Sequence, residues 1–161
     1  MYIPFEEMAN TSRVWIYQAN RVLSTKDQLF LDQKCKTFLE QWAAHGQSLK
    51  SSFQVVHDKF LIVSVDESFN QASGCSIDAS VALVKSLEQS LDISFFDRTQ
   101  VCFLIDNEII EIPINGIKTY VENGKINEDT LTFNNLVDNI GAFNKEWKIA
   151  AKNSWLKRYF Q

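Results

Sequence analysis

The strongest constraint on the fold is the order in which two hydrophobic periodicities follow one another in the first two thirds of the sequence. Runs rich in β-branched, aromatic or continuously apolar residues predict strands, whereas apolar residues recurring every three or four positions predict helices. The stretches that predict strands are 13–23, 52–56, 60–66 and 100–106. One helix follows the first of them and another precedes the last, which gives the order β-α-β-β-α-β of the ferredoxin-like, split βαβ fold. We therefore expect an α+β protein whose core is a two-layer sandwich.

Each predicted helix has an apolar face at helical spacing. Ser24 and Asp27 form the S-x-x-D pattern of a helix start. His45–Gly46 predicts the end of that helix, with glycine after the last turn and histidine at the negative end of the helix dipole. The apolar faces are Leu31, Cys35, Phe38, Leu39 and Trp42 in the first helix, and Ile77, Val81, Val84, Leu87 and Leu91 in the second.

The last third of the chain predicts additions to this core. Residues 108–114 predict a hairpin with 100–106, turning at Asp106–Asn107. A short helix over 115–125 and a strand over 130–137 follow. The tail predicts a helix in which Trp147, Ala151, Trp155 and Tyr159 recur every four residues. At 161 residues we expect one α+β domain over 1–161.

Charge and cysteine content restrict the compartment and the partners. The net charge of −4 gives no general attraction to nucleic acid or anionic lipid. No apolar run approaches the ~18 residues of a membrane span, and the acidic N-terminus lacks an export-signal pattern. Three cysteines without framework spacing fit a reducing compartment. We expect a cytoplasmic protein with no membrane contact.

The tail is an exception to the acidic balance. From Asn144 to Gln161 there are five basic residues and one acidic residue. One hypothesis is that this segment contacts RNA or an acidic partner. The simpler interpretation is that its aromatic residues dock on the core while its lysines are solvated, so a nucleic-acid partner is not favoured.

Four chemistry-bearing segments are predicted to meet at one end of the sheet: Arg13, His45–Gly46, Asp66–Glu67 and residues 73–76. The last of these, Ser73-Gly74-Cys75-Ser76, opens the second helix, where free N–H groups and the positive dipole end favour an anion. Ser73, Gly74, Ser76, Asp66 and Arg13 are the candidate ligand-binding residues. The plain alternatives are a serine-capped helix and a solvated strand end.

Cys75 lies at the same predicted helix start, which can make a thiol nucleophilic. With His45 as base it would form the catalytic pair of a cysteine-dependent hydrolase or transferase. The competing interpretation is a small residue in a tight cap. Cys35 and Cys102 are expected in the core and His57 in a hairpin turn. No zinc-ligand spacing is present, so we expect no metal and no cofactor.

Asn134 and Asn135 follow the last predicted strand, in "FNNLV". Two adjacent amides could bind a ligand, but the simpler interpretation is that they make the hydrogen bonds of a strand edge or turn.

Several segments together resemble a known family: "SRVWIYQANR", "FLEQWAAHGQ", "VDES", "ASGCSIDASV", "FDRT", "FNNLV" and "KNSW". The chain is similar to a family of small, uncharacterised bacterial proteins often labelled "ABC transporter ATPase". The resemblance covers essentially the entire chain, which implies a complete protein. That family has no established mechanism, so the resemblance assigns no functional residues.

The ATPase label conflicts with the residues present. ABC ATPases need a G-x-x-x-x-G-K-[ST] loop whose amides hold the phosphates, and none of the five glycines opens one. The sequence also lacks dinucleotide and hydrolase glycine motifs. The leading hypothesis is a domain that binds a small anionic ligand or a protein partner, and the alternative is the enzyme based on Cys75 and His45.

Overall fold

All strand pairs in the computed structural model, which describes residues 1–161, are antiparallel and belong to three sheets. The strands are β1 (Arg13–Gln18), β2 (Ala43–Ala44), β3 (Gln47–Ser48), β4 (Ser51–Val56), β5 (Phe60–Val65), β6 (Gln100–Ile105), β7 (Glu108–Pro113), β8 (Leu131–Phe133) and β9 (Lys148–Ala150). The helices are α1 (Thr25–Gln41), α2 (Gly74–Leu91), α3 (Ile117–Glu122) and α4 (Ile140–Glu146), with short 3₁₀ turns at Phe5–Glu7, Ile114–Gly116, Ala151–Asn153 and Trp155–Tyr159. The predicted α+β class is confirmed.

The first sheet has the order β1-β5-β4, with α1 and α2 packed on one face. β5 is its central strand because it pairs with both β1 and β4, and all of its residues are buried, as expected of a strand covered on both faces. Leu31, Cys35 and Leu39 of α1 lie in the same core cluster as Val84 and Leu87 of α2, as their helical spacing predicts. This half of the chain is a layer of helices on a layer of strands.

The fourth strand does not complete a ferredoxin-like sheet. β6 pairs with β7 and β8 in a second sheet of order β7-β6-β8-β9, whereas β1 pairs with β5 alone. In the loop before β6, Phe95 and Phe96 pack edge-on against Tyr17 of β1. The ferredoxin-like topology is therefore not confirmed, and one edge of β1 has no partner strand.

The second sheet packs on the face of the first sheet that is opposite the helices. Phe60, Cys102, Phe133 and Trp147 form one buried cluster between the two sheets. The other face of the second sheet builds a smaller core with α3 and the chain end. No helix is long and apolar enough to cross a membrane.

The prediction that α1 ends at His45–Gly46 is wrong. The helix ends at Gln41, and Trp42 adopts an extended conformation that leads into the β2–β3 hairpin. His45 and Gly46 form the turn of that hairpin, with φ values of 52° and 77°. Two consecutive positive φ angles define the turn that suits a two-residue hairpin, and this is what the glycine provides.

The first strand and the tail also differ from prediction. β1 stops at Gln18, and β8 covers three residues where 130–137 was expected. The predicted C-terminal helix is absent: α4, β9 and two 3₁₀ turns take its place. Trp147 and Leu156 still dock on the core, whereas Trp155 is 52% exposed.

Other local predictions are confirmed. Asp106 and Asn107 form the turn of the β6–β7 hairpin with φ values of 51° and 62°. α3 is closed by Asn123, and the glycine after it has a positive φ. Cys35 and Cys102 are buried, and burial raises the pKa of each thiol to about 12.

Candidate functional site

The structure brings the predicted segments to one end of the first sheet. Arg13 pairs with Val65 in the ladder and lies 3.6 Å from the Glu67 carboxylate. The hairpin that carries His45 is held there by Asn70, whose side-chain amide donates to the Gln47 carbonyl at 3.1 Å. These groups can form a ligand site only if their polar atoms are not already engaged by other groups of the chain.

Asp66 is already fully engaged by neighbouring groups. Its carboxylate accepts hydrogen bonds from the Ser68 hydroxyl at 2.5 Å and the Ser68 backbone N–H at 3.1 Å, and from Lys50 Nζ at 3.2 Å. The Ser68 hydroxyl and the Lys50 ammonium hold the pKa of Asp66 below its usual range, against an opposing effect of burial. These hydrogen bonds stabilise the turn that follows β5.

Ser73 and Ser76 are engaged in capping α2. The Ser73 hydroxyl accepts from the Ser76 N–H at 3.2 Å, and the Ser76 hydroxyl accepts from the Ser73 N–H at 2.8 Å. This reciprocal pair is a capping box that satisfies donors at the helix start. Behind it, Trp42 Nε1 donates to the Ser76 carbonyl at 2.8 Å. These side chains hold secondary structure together.

Cys75 and His45 are both exposed, and no hydrogen bond joins either side chain to another group. Gly74 beside Cys75 is exposed as well. A nucleophile and its base need a direct hydrogen bond or a near approach held by the surrounding structure. The structure shows the two residues near the same sheet end without such a pairing.

A different feature forms a true concavity. A cleft of about 800 Å³ lies between the unpaired edge of β1 and the second sheet. Its walls are β1, the loop and strand at 95–102, the segment 133–138 and the turn around Trp155. The cleft occupies the position where a fourth strand of the first sheet would lie, and its volume falls within the range typical of ligand sites.

Amide side chains form the polar part of the cleft. Gln18 Nε2 donates to the Gln100 carbonyl at 3.2 Å, and Asn135 Nδ2 donates to Gln18 Oε1 at 3.3 Å. Asn135 Oδ1 in turn accepts from Trp147 Nε1 at 2.9 Å. This chain fixes the two amides across the cleft, while Gln100, Asn134 and the turn residue Asn153 add further amides to its lining.

Aromatic and aliphatic side chains form the apolar part. Trp15 and Tyr17 project from β1, and Phe96 packs edge-on against Tyr17 at 5.6 Å between ring centroids. Phe96, Leu136 and Trp155 are 39%, 88% and 52% exposed. Three of the large apolar side chains left open to solvent therefore border the same cleft, a grouping typical of binding surfaces.

Two arginines supply the positive charge of the cleft. Arg13 stacks over the Trp15 ring at 4.6 Å and is shared with Glu67. Arg98 is exposed and makes no ion pair within 4 Å. The nearby Asp97 carboxylate is held by the Thr99 hydroxyl and N–H, which lower its pKa.

Sequence reasoning identified only part of this cleft. Arg13 is a predicted site residue, whereas ligand binding by Asn134 and Asn135 is only the alternative to their making the hydrogen bonds of a strand edge or turn. Gln18 and Trp155 were missed because the first was assigned to a longer strand and the second to a helix. The sequence feature that could have indicated the cleft is the pair of amides, Asn134 and Asn135, directly after a strand, where backbone pairing stops.

No protein-family model matches this chain, and neither a curated protein nor a solved structure matches it. No group of three or more histidine, cysteine, aspartate or glutamate side chains converges in the structure. The functional argument therefore depends on the geometry of the cleft.

Proposed function

We propose that this protein is a binding module whose site is the cleft between β1 and the second sheet. The observation that carries the proposal is the composition of this one concavity, in which exposed rings and fixed amides face a volume of about 800 Å³. Binding sites combine an apolar lining with a few oriented polar groups, because the former provides affinity and the latter select the ligand.

The side chains favour a ligand with three properties. The rings of Trp15, Phe96 and Trp155 favour an apolar or planar body. Hydrogen bonds engage the oxygen and one N–H of each of the Gln18 and Asn135 amides, and the second N–H of each favours a ligand group that accepts. The unpaired Arg98 favours a negative charge at one end of the cleft. The ligand class is an organic anion with amide-like groups.

This proposal keeps the hypothesis of a binding protein but places the binding site in the cleft and not at the end of the first sheet. Arg13 belongs to both the sheet end and the cleft, whereas the side chains of Asp66, Ser73 and Ser76 are engaged in the hydrogen bonds of the fold. The chain offers no glycine-rich phosphate loop, so we do not propose ATP hydrolysis by a Walker-type mechanism.

The experiment is a screen of carboxylate-bearing aromatic amides by saturation-transfer NMR, followed by affinity measurements on variants. We expect Trp155→Ala to weaken binding about fivefold or more, because truncating an exposed ring at a site removes much of its contact area. The matched control is Phe69→Ala, which removes a ring that is 59% exposed and lies outside the cleft.

The variants separate the cleft from the sheet end. Loss of binding in Trp155→Ala with retention in Phe69→Ala would support the cleft. Binding that is insensitive to Trp155→Ala, or a library without any hit, would contradict the proposed function.

A further inference from the structure

We propose that the occupant of the cleft is an extended peptide that adds to β1 as a fourth strand and places an acidic side chain beside Arg98. The inference rests on the proposed function, since it names the ligand class of the same cleft. Its basis is the unpaired edge of β1, where backbone N–H and C=O groups are free to pair with another extended backbone.

The direction of the backbone groups on β1 follows from three hydrogen bonds. The Ala19 N–H donates to the Lys59 carbonyl at 2.8 Å, so the odd-numbered residues of this stretch face β5. The N–H groups of Val14 and Asn20 donate in the opposite direction, to Asp138 and Ser94. Because successive residues of a strand alternate, Ile16 and Gln18 also direct their N–H and C=O groups away from β5, into the cleft.

Both ends of this edge are already paired, and the middle is open. Arg13 forms an antiparallel bridge with Asn139, and Val14 donates to the Asp138 carbonyl at 2.9 Å. At the far end Asn20 donates to the Ser94 carbonyl at 2.9 Å. The open stretch covers Trp15 to Gln18, about 13 Å of strand. A short extended segment would continue a pairing that the chain itself begins.

The hydrogen-bonding pattern of the edge selects an extended backbone. Donors and acceptors on one side of a strand repeat every second residue, a spacing matched by another strand. The alternate side chains of an added strand point to either side of it, where the rings of Trp15 and Phe96 line the cleft. The backbone provides affinity and the rings provide selectivity.

The edge of β7 is protected against pairing, and the edge of β4 is already paired with the N-terminal segment at Ser51. β7 ends the second sheet, carries Glu108 and Glu111, and finishes at Pro113, which lacks an N–H donor. Charged residues and proline are the usual means of blocking a sheet edge. β1 has no such residue between Trp15 and Gln18, and its edge is recessed in a cleft.

Charge complementarity commits the partner to an acidic residue. Arg98 is exposed at the loop that borders the Gln18 end of the cleft, and no carboxylate of the chain lies within ion-pair distance of it. A peptide carboxylate at that end would supply the missing partner of the guanidinium. The alternative occupant is a second copy of this chain, whose β1 edge would pair with the same edge in the absence of any peptide.

The test uses a library of acetylated, amidated seven-residue peptides with one fixed glutamate, from which a binder is selected and resynthesised. Each peptide bond of the binder is then N-methylated in turn. We expect alternate positions to lose binding, because only every second N–H faces β1. A loss at every position or at none would overturn strand addition.

Two further measurements locate the peptide. Amide hydrogen exchange of Ile16 and Gln18 is expected to slow on binding, with β7 amides unchanged. Arg98→Glu should weaken binding about tenfold, and a binder carrying lysine in place of glutamate should recover it. The control Lys85→Glu makes a similar charge reversal on the exposed side of α2 and should leave affinity unchanged.

The outcomes distinguish this inference from the proposed function. If aromatic amides bind the cleft but no peptide slows exchange at Ile16 and Gln18, strand addition is wrong and the binding site stands. If neither binds, both proposals fail. If light scattering shows a dimer whose formation slows exchange at Ile16 and Gln18 without peptide, the occupant is a second copy and the peptide inference is overturned.

Discussion

Asp66 shows how a residue expected to bind a ligand can instead stabilise the fold. Its carboxylate accepts from Ser68 and Lys50, so the negative form is favoured and its pKa lies below the usual range of an aspartate. A lowered folded-state pKa gives stability that is present above the unfolded value and lost as the pH falls through the folded one.

We therefore expect Asp66→Asn to lower the free energy of unfolding by about 1–3 kcal/mol at pH 7. Urea unfolding at several pH values should show the difference from the native protein shrinking below pH ~4. The control Glu40→Gln removes an exposed carboxylate that makes no ion pair. A difference that persists at low pH would show that the carboxylate charge is not the cause.

Cys75 is the one exposed cysteine of the three. Cys35 and Cys102 are buried, and burial disfavours their thiolates. We expect Ellman's reagent to titrate one thiol per native chain and three in denaturant, and Cys75→Ser to abolish the native reaction. Reaction of two or three thiols under native conditions would contradict the packing around Cys35 or Cys102.

The same thiol titration bears on the enzyme hypothesis. If Cys75 reacts no faster at pH 6–7 than an ordinary exposed cysteine, and if His45→Ala leaves that rate unchanged, Cys75 and His45 do not act as a catalytic pair. A rate well above that of a model thiol, lost in His45→Ala, would support a cysteine-dependent enzyme.

At the scale of single residues, burial was the predictable property. Cys35 and Cys102 stand in apolar patterns, and both are in the core. The hydrogen-bond partners were not predictable, because Asp66 is satisfied by Lys50 from another segment and Trp42 by the Ser76 carbonyl. Such contacts depend on which segments meet in space.

At the scale of elements, α2 begins where the sequence places it. Ser73 and Ser76 form a capping box, which satisfies backbone donors at the start of the helix. We expect Ser73→Ala to cost about 1 kcal/mol of stability, measured by urea unfolding. The control is Ser90→Ala, an exposed position within the same helix without a side-chain hydrogen bond, which should be neutral or slightly stabilising. Equal effects of the two substitutions would contradict the capping role.

The ends of the elements were harder to predict than their starts. α1 begins with its expected cap at Ser24, but it ends early because Trp42 turns into a hairpin and anchors its indole on Ser76. In the tail, Trp147, Ala151, Trp155 and Tyr159 recur every four residues. They do not form one helix: Trp147 lies in a core cluster and the other three lie in two separate 3₁₀ turns. Local spacing does not reveal which tertiary contact will interrupt a helix.

At the scale of the molecule, a buried ion pair joins the two sheets. Lys59 Nζ lies 2.7 Å from Glu111 Oε2, and the lysine side chain is 4% exposed. Glu111 Oε1 is buried without a hydrogen-bond partner. Removing one member leaves the other charge buried and unpaired, which is costly, whereas replacing both by apolar residues can be neutral.

We expect Lys59→Met to lower the free energy of unfolding by about 3 kcal/mol or more. The double variant Lys59→Met with Glu111→Leu should recover most of that loss. Denaturant unfolding of the single and double variants provides the measurement. Additive losses in the double variant would show that packing, and not the unpaired carboxylate, sets the cost.

The partition of strands between two sheets could not be predicted from sequence. The β-α-β-β-α-β order fits a single four-stranded sheet, yet β6 pairs with β7 and β8 instead of β1. Strand pairing is a competition among partners that are distant in sequence, and the outcome here leaves the β1 edge open. The cleft is a consequence of that choice, so the site could be predicted only in fragments.

Fluorine NMR of protein labelled with 5-fluorotryptophan tests the central claim most directly, because the four tryptophans report on different places. Trp155 borders the cleft, whereas Trp42 is bonded to Ser76 at the sheet end where the sequence predicted a site. Titration with carboxylate-bearing aromatic amides should shift the Trp155 resonance and leave that of Trp42 in place. A shift of Trp42 with Trp155 unmoved, or no shift at all, would contradict a binding site between β1 and the second sheet.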